Sequence, residues 1–257
     1  MLNLLRGKGE ITLNVQKNKW DLYQKDPLYI NLIRESSFIR AFPTDMGGGI
    51  AGGDSQEMKL YLQSSRMLWQ PAASTLCYPN RGEDESVTEL NYSIIVQDKS
   101  ILIYLNKPLI PCQGSWIEQS IDVNVDESSE LLYFEPYSSG RIAYGQEWAF
   151  KQYRNKFVLN YKNQPVLKES WQLLKNKIPR GPAGFKGYSH WATLISVGTE
   201  IQTVLNLMIQ RLEMDQCFVT QSIVCDNIRL VRVLDKTGVA LNMTFQDLAE
   251  RHYNSIA

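Results

Sequence analysis

Segments in which apolar and polar residues alternate dominate the first two thirds of this chain. Ile11, Leu13 and Val15 alternate with polar residues, and the same period of two recurs over 56–63. A period of two predicts strands that bury one face. The pattern predicts further strands over 28–33, 38–42, 90–97, 101–105, 116–125, 131–134, 148–153, 156–161 and 166–173. Residues 1–175 are therefore predicted to form a β-rich body, and the pattern leaves sandwich, barrel and solenoid arrangements open.

The pattern changes after a segment rich in proline and glycine at 176–189, which predicts a loop or linker. Residues 190–197 then predict a strand, and apolar residues at helical spacing predict a helix after it. A capping box of Thr199 and Gln202 is expected to begin that helix. The remaining elements are predicted in the order strand, strand, helix, over 217–224, 227–234 and 237–254. Residues 190–257 are thus expected to form a β-α-β-β-α section packed on the body, as a separate unit or within one continuous domain.

The composition is that of an ordinary soluble globular protein. The 257 residues include 27 Lys and Arg and 27 Asp and Glu, so the net charge at pH 7 is zero. A chain without a basic excess does not favour nucleic-acid binding. It has no apolar run of the roughly 18 residues that a membrane span needs, and its first residues lack the apolar core of a signal peptide. These features predict a cytoplasmic protein without membrane contact.

Thiol and imidazole groups are scarce. Cys77, Cys112, Cys217 and Cys225 include no pair with the two-residue gap of a zinc site. The sequence has only two histidines. These numbers disfavour a catalytic triad and a tight site for a soft metal, and they favour packing roles for the four cysteines.

The most unusual local composition is a run of five glycines that ends at Asp54. Gly47, Gly49 and Gly52 match the letters of a dinucleotide-binding fingerprint, but that motif needs a strand before it, a helix within it and a later acidic residue. Here another strand pattern follows, and an aspartate stands where a phosphate-binding loop has lysine. A glycine-rich turn between two strands is therefore favoured.

Six motifs occur in a fixed order along the chain. They are GGIAGGD ending at Asp54, QPAASTLCY ending at Tyr78, IYLNKPLIP ending at Pro111, LLYFE ending at Glu135, GRIAYGQEW ending at Trp148 and PVLKE ending at Glu169. Each motif alone is weak, but the ordered series resembles the urease accessory protein family UreD, called UreH in some organisms. The likeness covers about residues 8–257 and is strongest from 42 to 173.

The resemblance implies a fold and a function that is not enzymatic. The family fold is a superhelical, solenoid-like arrangement of many short strands with two C-terminal helices. Its members are maturation chaperones that bind urease apoprotein and the accessory partners UreF and UreG, the latter a GTPase, and assist nickel insertion into the urease active site. The resemblance implies no catalytic residue and no tightly bound cofactor, with nickel only in transit through a proposed internal passage.

Asp54, Glu135 and Glu169 occupy the recurrent acidic positions of that family, and the resemblance implies that they line the passage for nickel. A borderline cation in transit is suited by carboxylate and carbonyl oxygens. An ion pair with Arg141 or Arg154 is an alternative of equal weight for the two glutamates. A turn cap is favoured for Asp54, because aspartate commonly bonds its own turn backbone.

A second function class is open on the residues alone. Glu135 and Glu147 could act as a carboxylate pair, and Tyr137 and Trp148 beside them could face a sugar. A glycoside hydrolase needs two carboxylates about 5 to 10 Å apart, a distance that the sequence does not fix. A carboxylate-pair glycoside hydrolase, or a carbohydrate-binding β-protein, is therefore the alternative to the accessory role.

Overall fold

The computed structural model describes residues 7–80, 86–179, 184–242 and 245–255. The strands of these residues are β1 Lys8–Gln16, β2 Lys19–Lys25, β3 Leu28–Arg34, β4 Ile39–Asp45, β5 Ser55–Gln63, β6 Arg66–Trp69, β7 Thr75–Cys77, β8 Thr88–Gln97, β9 Ile101–Leu105, β10 Leu109–Pro111, β11 Trp116–Val125, β12 Glu130–Ser138, β13 Gly140–Arg141, β14 Gln146–Glu147, β15 Gln152–Tyr161, β16 Gln164–Leu174, β17 His190–Val197, β18 Phe218–Cys225 and β19 Ile228–Asp235. The helices are α1 Gln202–Met214, α2 Val239–Asn242 and α3 Gln246–Ser255, and Ile142–Tyr144 forms one 3₁₀ turn.

Two large sheets contain almost all of these strands. The first sheet has the order β16-β15-β11-β8-β5-β1-β2, and the second has the order β18-β19-β17-β12-β9-β6-β4-β3. Strand β10 also pairs with β12, and β7 pairs with β10. From β4 to β12 the long strands alternate between the two sheets, so the neighbours in the middle of each sheet run parallel. Antiparallel strands flank both parallel regions. The mainly β class is confirmed, whereas the sheets are open and mixed and do not confirm a regular solenoid.

The difference between the two sheets is visible in the sequence of their strands. β11 alternates buried and exposed residues along its length, which is typical of a sheet with one solvated face. β17 is buried at every position, and β9 is as well. A strand buried on both faces reads as a continuous apolar run. The second sheet is therefore the central layer, between the first sheet on one side and the helices on the other.

Helix α1 packs on the second sheet through the predicted apolar stripe. Its buried residues are Val204, Leu205, Met208, Ile209 and Leu212. The predicted capping box is wrong, because α1 begins at Gln202 without a side-chain cap. The Glu130 carboxylate of β12 instead accepts the N–H groups of Glu200 and Ile201, at 3.1 and 2.7 Å. A carboxylate at this end also complements the helix dipole.

Two further boundaries differ from the sequence pattern. The strand predicted over 148–153 begins only at Gln152, and Trp148 instead has a left-handed φ of 55° in the turn before it. The final helix predicted over 237–254 is interrupted, and its residues form α2 and α3. The strands predicted over 101–105, 116–125 and 190–197 have the predicted bounds. No helix of the described residues is both long enough and apolar enough to span a bilayer.

The glycine run connects β4 to β5, which confirms the predicted turn between strands. Ile50 joins this turn to β7, because its N–H donates to the Leu76 carbonyl and its own carbonyl accepts the Tyr78 N–H, both at 2.8 Å. Gly52 lies against the backbone after β7, where a Cβ would come 2.3 Å from the Asn80 nitrogen. The glycines therefore permit close backbone packing between two motifs that are distant in sequence.

Replacing Gly52 with alanine is expected to destabilise the protein by about 3 kcal/mol, because the backbone beside it has to move. Gly48→Ala is the matched control, since Gly48 has a φ of 71° but no atom within 4 Å of its Cβ position. The control should lose only about 1 kcal/mol from the left-handed conformation. Urea denaturation of both variants measures the difference, and equal losses would contradict the packing argument.

Candidate functional site

A layer of polar side chains crosses the interior between the two sheets. The second sheet contributes neighbours on adjacent strands, since Glu135 on β12 pairs with Thr193 on β17, and Thr193 pairs with Arg232 on β19. On the other side of Glu135, Asn106 follows β9, and its N–H donates to the carbonyl of Phe134. These four side chains form one row because they hold equivalent positions on neighbouring strands.

The first sheet contributes a facing row. Gln56 on β5, Leu90 on β8, Gln119 on β11 and Asn155 on β15 are consecutive partners in register. The three amides are only 4%, 3% and 1% exposed. We call the polar members of both rows the polar layer, which consists of Asn106, Glu135, Thr193, Arg232, Gln56, Gln119 and Asn155.

Apolar side chains enclose the polar layer on both sides. One cluster between the sheets includes Tyr104, Tyr133 and Ile195. Each of these residues is two positions along the chain from a member of the polar layer, so all three lie on the same side of that layer. A second cluster includes Tyr137 and Trp191, which lie on the opposite side of the layer. Because water is excluded from both flanks, the polar groups must find partners within the layer or in a cavity along it.

A cavity of about 250 Å³ lies along one end of the polar layer. It reaches from exposed residues at the glycine turn to Glu135, which is only 1% exposed. The polar and charged residues that line the cavity are Thr44, Asp45, Gln56, Ser74, Thr75, Tyr92, Tyr104, Asn106, Lys107, Gln119 and Glu135. This volume is sufficient for several water molecules or a hydrated cation.

Glu135 is held in the cavity wall by three neutral donors. Asn106 Nδ2 donates to Oε2 at 2.8 Å, and the Tyr133 hydroxyl donates to the same oxygen at 3.1 Å. Gln119 Nε2 donates to Oε1 at 3.2 Å. The Gln119 carbonyl in turn accepts the Tyr153 hydroxyl at 2.6 Å, which fixes the orientation of the amide. The expected ion pair with Arg141 or Arg154 is wrong for Glu135, because all three of these partners are uncharged.

Burial raises the pKa of Glu135 from 4.5 to about 7, and the three hydrogen bonds reduce the size of this rise. Loss of hydration disfavours the charged carboxylate, and neutral donors restore only part of that hydration. Near neutral pH the group is therefore close to half protonated. A cation that enters the cavity would favour the ionised form and release a proton.

Asp45 forms a second carboxylate site at the outer end of the same cavity. Gln56 Nε2 donates to Asp45 Oδ2 at 2.6 Å, and the Tyr92 hydroxyl donates to Gln56 Oε1 at 3.3 Å. Partial burial raises the pKa of Asp45, and a hydrogen bond from the backbone of Gly47 opposes that rise. The cavity thus has a carboxylate at each end, and each carboxylate is oriented by a glutamine that a tyrosine holds in place.

The lining favours brief contact with a hard or borderline cation over tight binding. Its ligands are carboxylate, amide and hydroxyl oxygens, which suit such cations. Lys107 also lines the cavity, and burial lowers its pKa. Among the described residues, no group of three or more His, Cys, Asp or Glu side chains could hold a metal ion.

Asp54 has a different environment from Glu135. Its Oδ1 accepts the Gly7 N–H at 2.6 Å, and its carbonyl accepts the Glu89 N–H at 3.1 Å. These bonds join the glycine turn to β1 and β8. Asp54 is not among the described residues that line the cavity, and its contacts are those of a structural carboxylate that ties a turn to neighbouring strands.

Glu169 lies on β16 opposite the buried Phe157, two residues along the strand from the register position of the polar row of the first sheet, and it joins the far end of the polar layer through Arg232. Its Oε2 forms an ion pair with Arg232 Nη2 at 2.7 Å. The expected partners Arg141 and Arg154 are wrong, because Arg141 lies over the Tyr144 ring and Arg154 pairs with Glu118. The structure therefore places Glu135 and Glu169 along one layer, and Asp54 outside it.

The carboxylate pair of the hydrolase alternative does not share a site. Glu147 is exposed on β14, where it accepts a hydrogen bond from the Ser189 hydroxyl, whereas Glu135 is buried in the cavity. The two aromatic residues expected to face a sugar are buried as well, with Tyr137 2% and Trp148 6% exposed. Glu147 and Glu135 therefore do not form the expected pair, and the structure does not support hydrolysis by these two carboxylates.

Sequence reasoning missed Asp45 and the two glutamines that orient the carboxylates. Gln56 and Gln119 occur at inward positions of strands whose other inward residues are apolar. An amide on the apolar side of an alternating strand is the signal that could have revealed them, because a buried amide needs a partner. Asp45 gave a weaker signal, since it ends a strand and precedes a turn, where aspartate is common.

Because the folded-state pKa of Glu135 lies above its unfolded value, the folded protein binds its proton more tightly. The resulting stabilisation is fully present below pH 4.5 and is lost as the pH rises through about 7. We expect Glu135→Gln to remove up to about 3 kcal/mol of this pH dependence. Glu118→Gln is the control, because Glu118 lies on the outer face of β11 in the first sheet.

The measurement is the free energy of unfolding from urea titrations at pH 5 and pH 8 for both variants and the unaltered protein. The Glu118 variant should keep the loss of stability between the two pH values, and the Glu135 variant should not. A Glu135 variant with an unchanged pH dependence would show that this carboxyl titrates normally.

Comparison with known proteins agrees with the geometry and the motifs. The model of a family described as "UreD urease accessory protein" matches residues 8–256. Urease accessory protein UreD of Anaeromyxobacter sp. (strain Fw109-5) is 25% identical over 166 residues, covering 64% of this chain and 55% of the relative. UreD of Sorangium cellulosum (strain So ce56) is 29% identical over 162 residues, covering 61% of this chain and 49% of the relative.

UreD of Actinobacillus pleuropneumoniae serotype 5b (strain L20) is 24% identical over 177 residues, covering 68% of this chain and 65% of the relative. The chain thus spans about half to two thirds of the length of the curated relatives that it matches. The family model extends over nearly the whole chain. On this match, the chain belongs to the UreD urease accessory protein family.

Proposed function

We propose that this chain is a non-catalytic scaffold of urease maturation. It binds urease apoprotein and the accessory partners UreF and UreG, and it assists GTP-dependent insertion of nickel into the urease active site in the cytoplasm. The family membership supports the urease accessory role. The cavity with Glu135 in its wall is the observation that supports a direct part in metal transfer.

The chemistry of the cavity suits an ion in transit. A passage must bind a cation well enough to admit it and weakly enough to release it. Glu135 offers one carboxylate among neutral oxygens, and Asp45 offers a second at the outer end. Neither end has the histidine or thiolate ligands that hold nickel tightly.

The proton of Glu135 balances the charge of the buried layer when the cation is absent. With a pKa of about 7 the group is partly neutral at rest, so the buried layer is not strongly anionic when no cation is present. Entry of a divalent cation ionises Glu135, and its departure lets the proton return. The interior therefore avoids an unpaired buried charge before and after transfer.

Co-purification with urease apoprotein and with UreF tests the scaffold role. We expect both associations for the unaltered chain and for Glu135→Gln, because Glu135 is 1% exposed and does not reach a docking surface. Failure of both associations for the unaltered chain would reject the proposal.

Nickel content of urease matured with each variant tests the passage. Glu135→Gln and Glu169→Ala should fold but lower the nickel content of the product to about half or less, because each removes an oxygen ligand from the path. Glu118→Gln is the matched control, since its carboxylate lies on the outer face and pairs with Arg154 at 3.3 Å. Equal nickel content in all three would leave the scaffold role intact and reject the passage.

A further inference from the structure

The end of the polar layer that lies farthest from Asp45 is occupied by the guanidinium group of Arg232. Arg232 Nη2 lies 2.7 Å from Glu169 Oε2, and its Nη1 donates to the Thr193 hydroxyl. The Arg232 and Glu169 side chains are 35% and 22% exposed, so this end approaches the surface. A path from the cavity along the polar layer would reach solvent here.

Arg232 and Glu135 belong to the same row and are separated by Thr193 alone. Two strand spacings place their backbones about 10 Å apart. Burial raises the pKa of Tyr137, Glu135 and Glu169 raise it further, and Arg232 lowers it. The Tyr137 hydroxyl thus lies in the field of both carboxylates and the guanidinium.

Asn155 provides an unused ligand at the same place. It is 1% exposed, and its Oδ1 has no hydrogen-bond partner among the described residues. A buried carbonyl oxygen without a donor costs about 1–3 kcal/mol. Asn155 pairs in register with Gln119 on one side and with Trp171 on the other, so it is the last amide in the row of the first sheet. A cation or its water at this position would satisfy the oxygen.

We propose that Glu169 and Thr193, with Asn155 on the facing row, form a second cation-binding position, and that Arg232 closes it as a gate by holding Glu169 and Thr193. This inference rests on the proposed passage of nickel. The guanidinium neutralises Glu169 and repels a divalent ion that approaches from Glu135. Release of the ion at this end requires Arg232 to leave Glu169, which its partial exposure permits.

The gate explains how a passage with a surface-accessible end avoids loss of its ion. A fixed positive charge near the exit raises the energy of a divalent cation there, and the low dielectric of the flanking apolar clusters strengthens that effect. Arginine suits this role because it stays charged at every accessible pH. Opening therefore depends on movement of the side chain and not on titration.

Equilibrium dialysis of the purified chain against Ni²⁺ tests the gate. Arg232→Gln should bind nickel about tenfold more tightly than the unaltered chain, because removal of the charge frees Glu169. Arg232→Met serves as a second variant that keeps the apolar stem, in case the glutamine variant fails to fold. Arg154→Gln is the matched control, since Arg154 is 37% exposed and pairs with a glutamate on the outer face.

The double variant Arg232→Gln with Glu169→Gln should lose the increase in nickel affinity, because that increase comes from the freed Glu169 carboxylate. The gate is rejected if both Arg232 variants bind nickel no more tightly than the Arg154 control. It is also rejected if the double variant keeps the increase in nickel affinity. Glu135→Gln separates the two proposals. If it leaves nickel binding unchanged the passage fails, whereas the comparison of Arg232 with Arg154 still decides whether the second position exists.

Discussion

Burial of the Glu135 carboxylate is the constraint on which the interior of this protein depends. A carboxyl group without water must be protonated, surrounded by donors or paired with a cation. The structure surrounds it with Asn106, Gln119 and Tyr133, and its pKa remains raised to about 7. The donor side chains need hydrogen-bond partners of their own, and the Tyr153 hydroxyl donates to the Gln119 carbonyl for this reason. One buried charge thus accounts for a whole set of buried polar residues.

The alternation of strands between the two sheets makes this set possible. Parallel neighbours place equivalent positions of distant segments side by side, so single polar residues on separate strands become a continuous row. The apolar clusters above and below the row exclude water and make each unsatisfied oxygen costly. An interior of this kind is less stable than a fully apolar one of the same volume.

Much of the candidate site could be predicted from the sequence, but its connections could not. The motif series indicated the acidic positions, and the structure places Glu135 and Glu169 along one layer. The partner of Glu169 is Arg232, which lies far along the chain and matches no local spacing. The N-terminus of α1 is a second example of a long-range partner that the sequence did not reveal, because Glu130 caps it in place of the predicted local capping box. Long-range partners of charged groups depend on which strands meet.

The sequence by itself determined most of the long strands, the buried side of strands such as β1 and β5, and the apolar stripe of α1. These follow from local periodicity, since a strand or helix fixes the direction of each side chain. Only the tertiary structure decided that Asp45, Gln56, Gln119 and Glu135 share one cavity and that Asp54 lies outside it. The physical reason is that sheet order and register are set by packing among residues far apart in the chain, and side chains from separate strands meet only after that order is fixed.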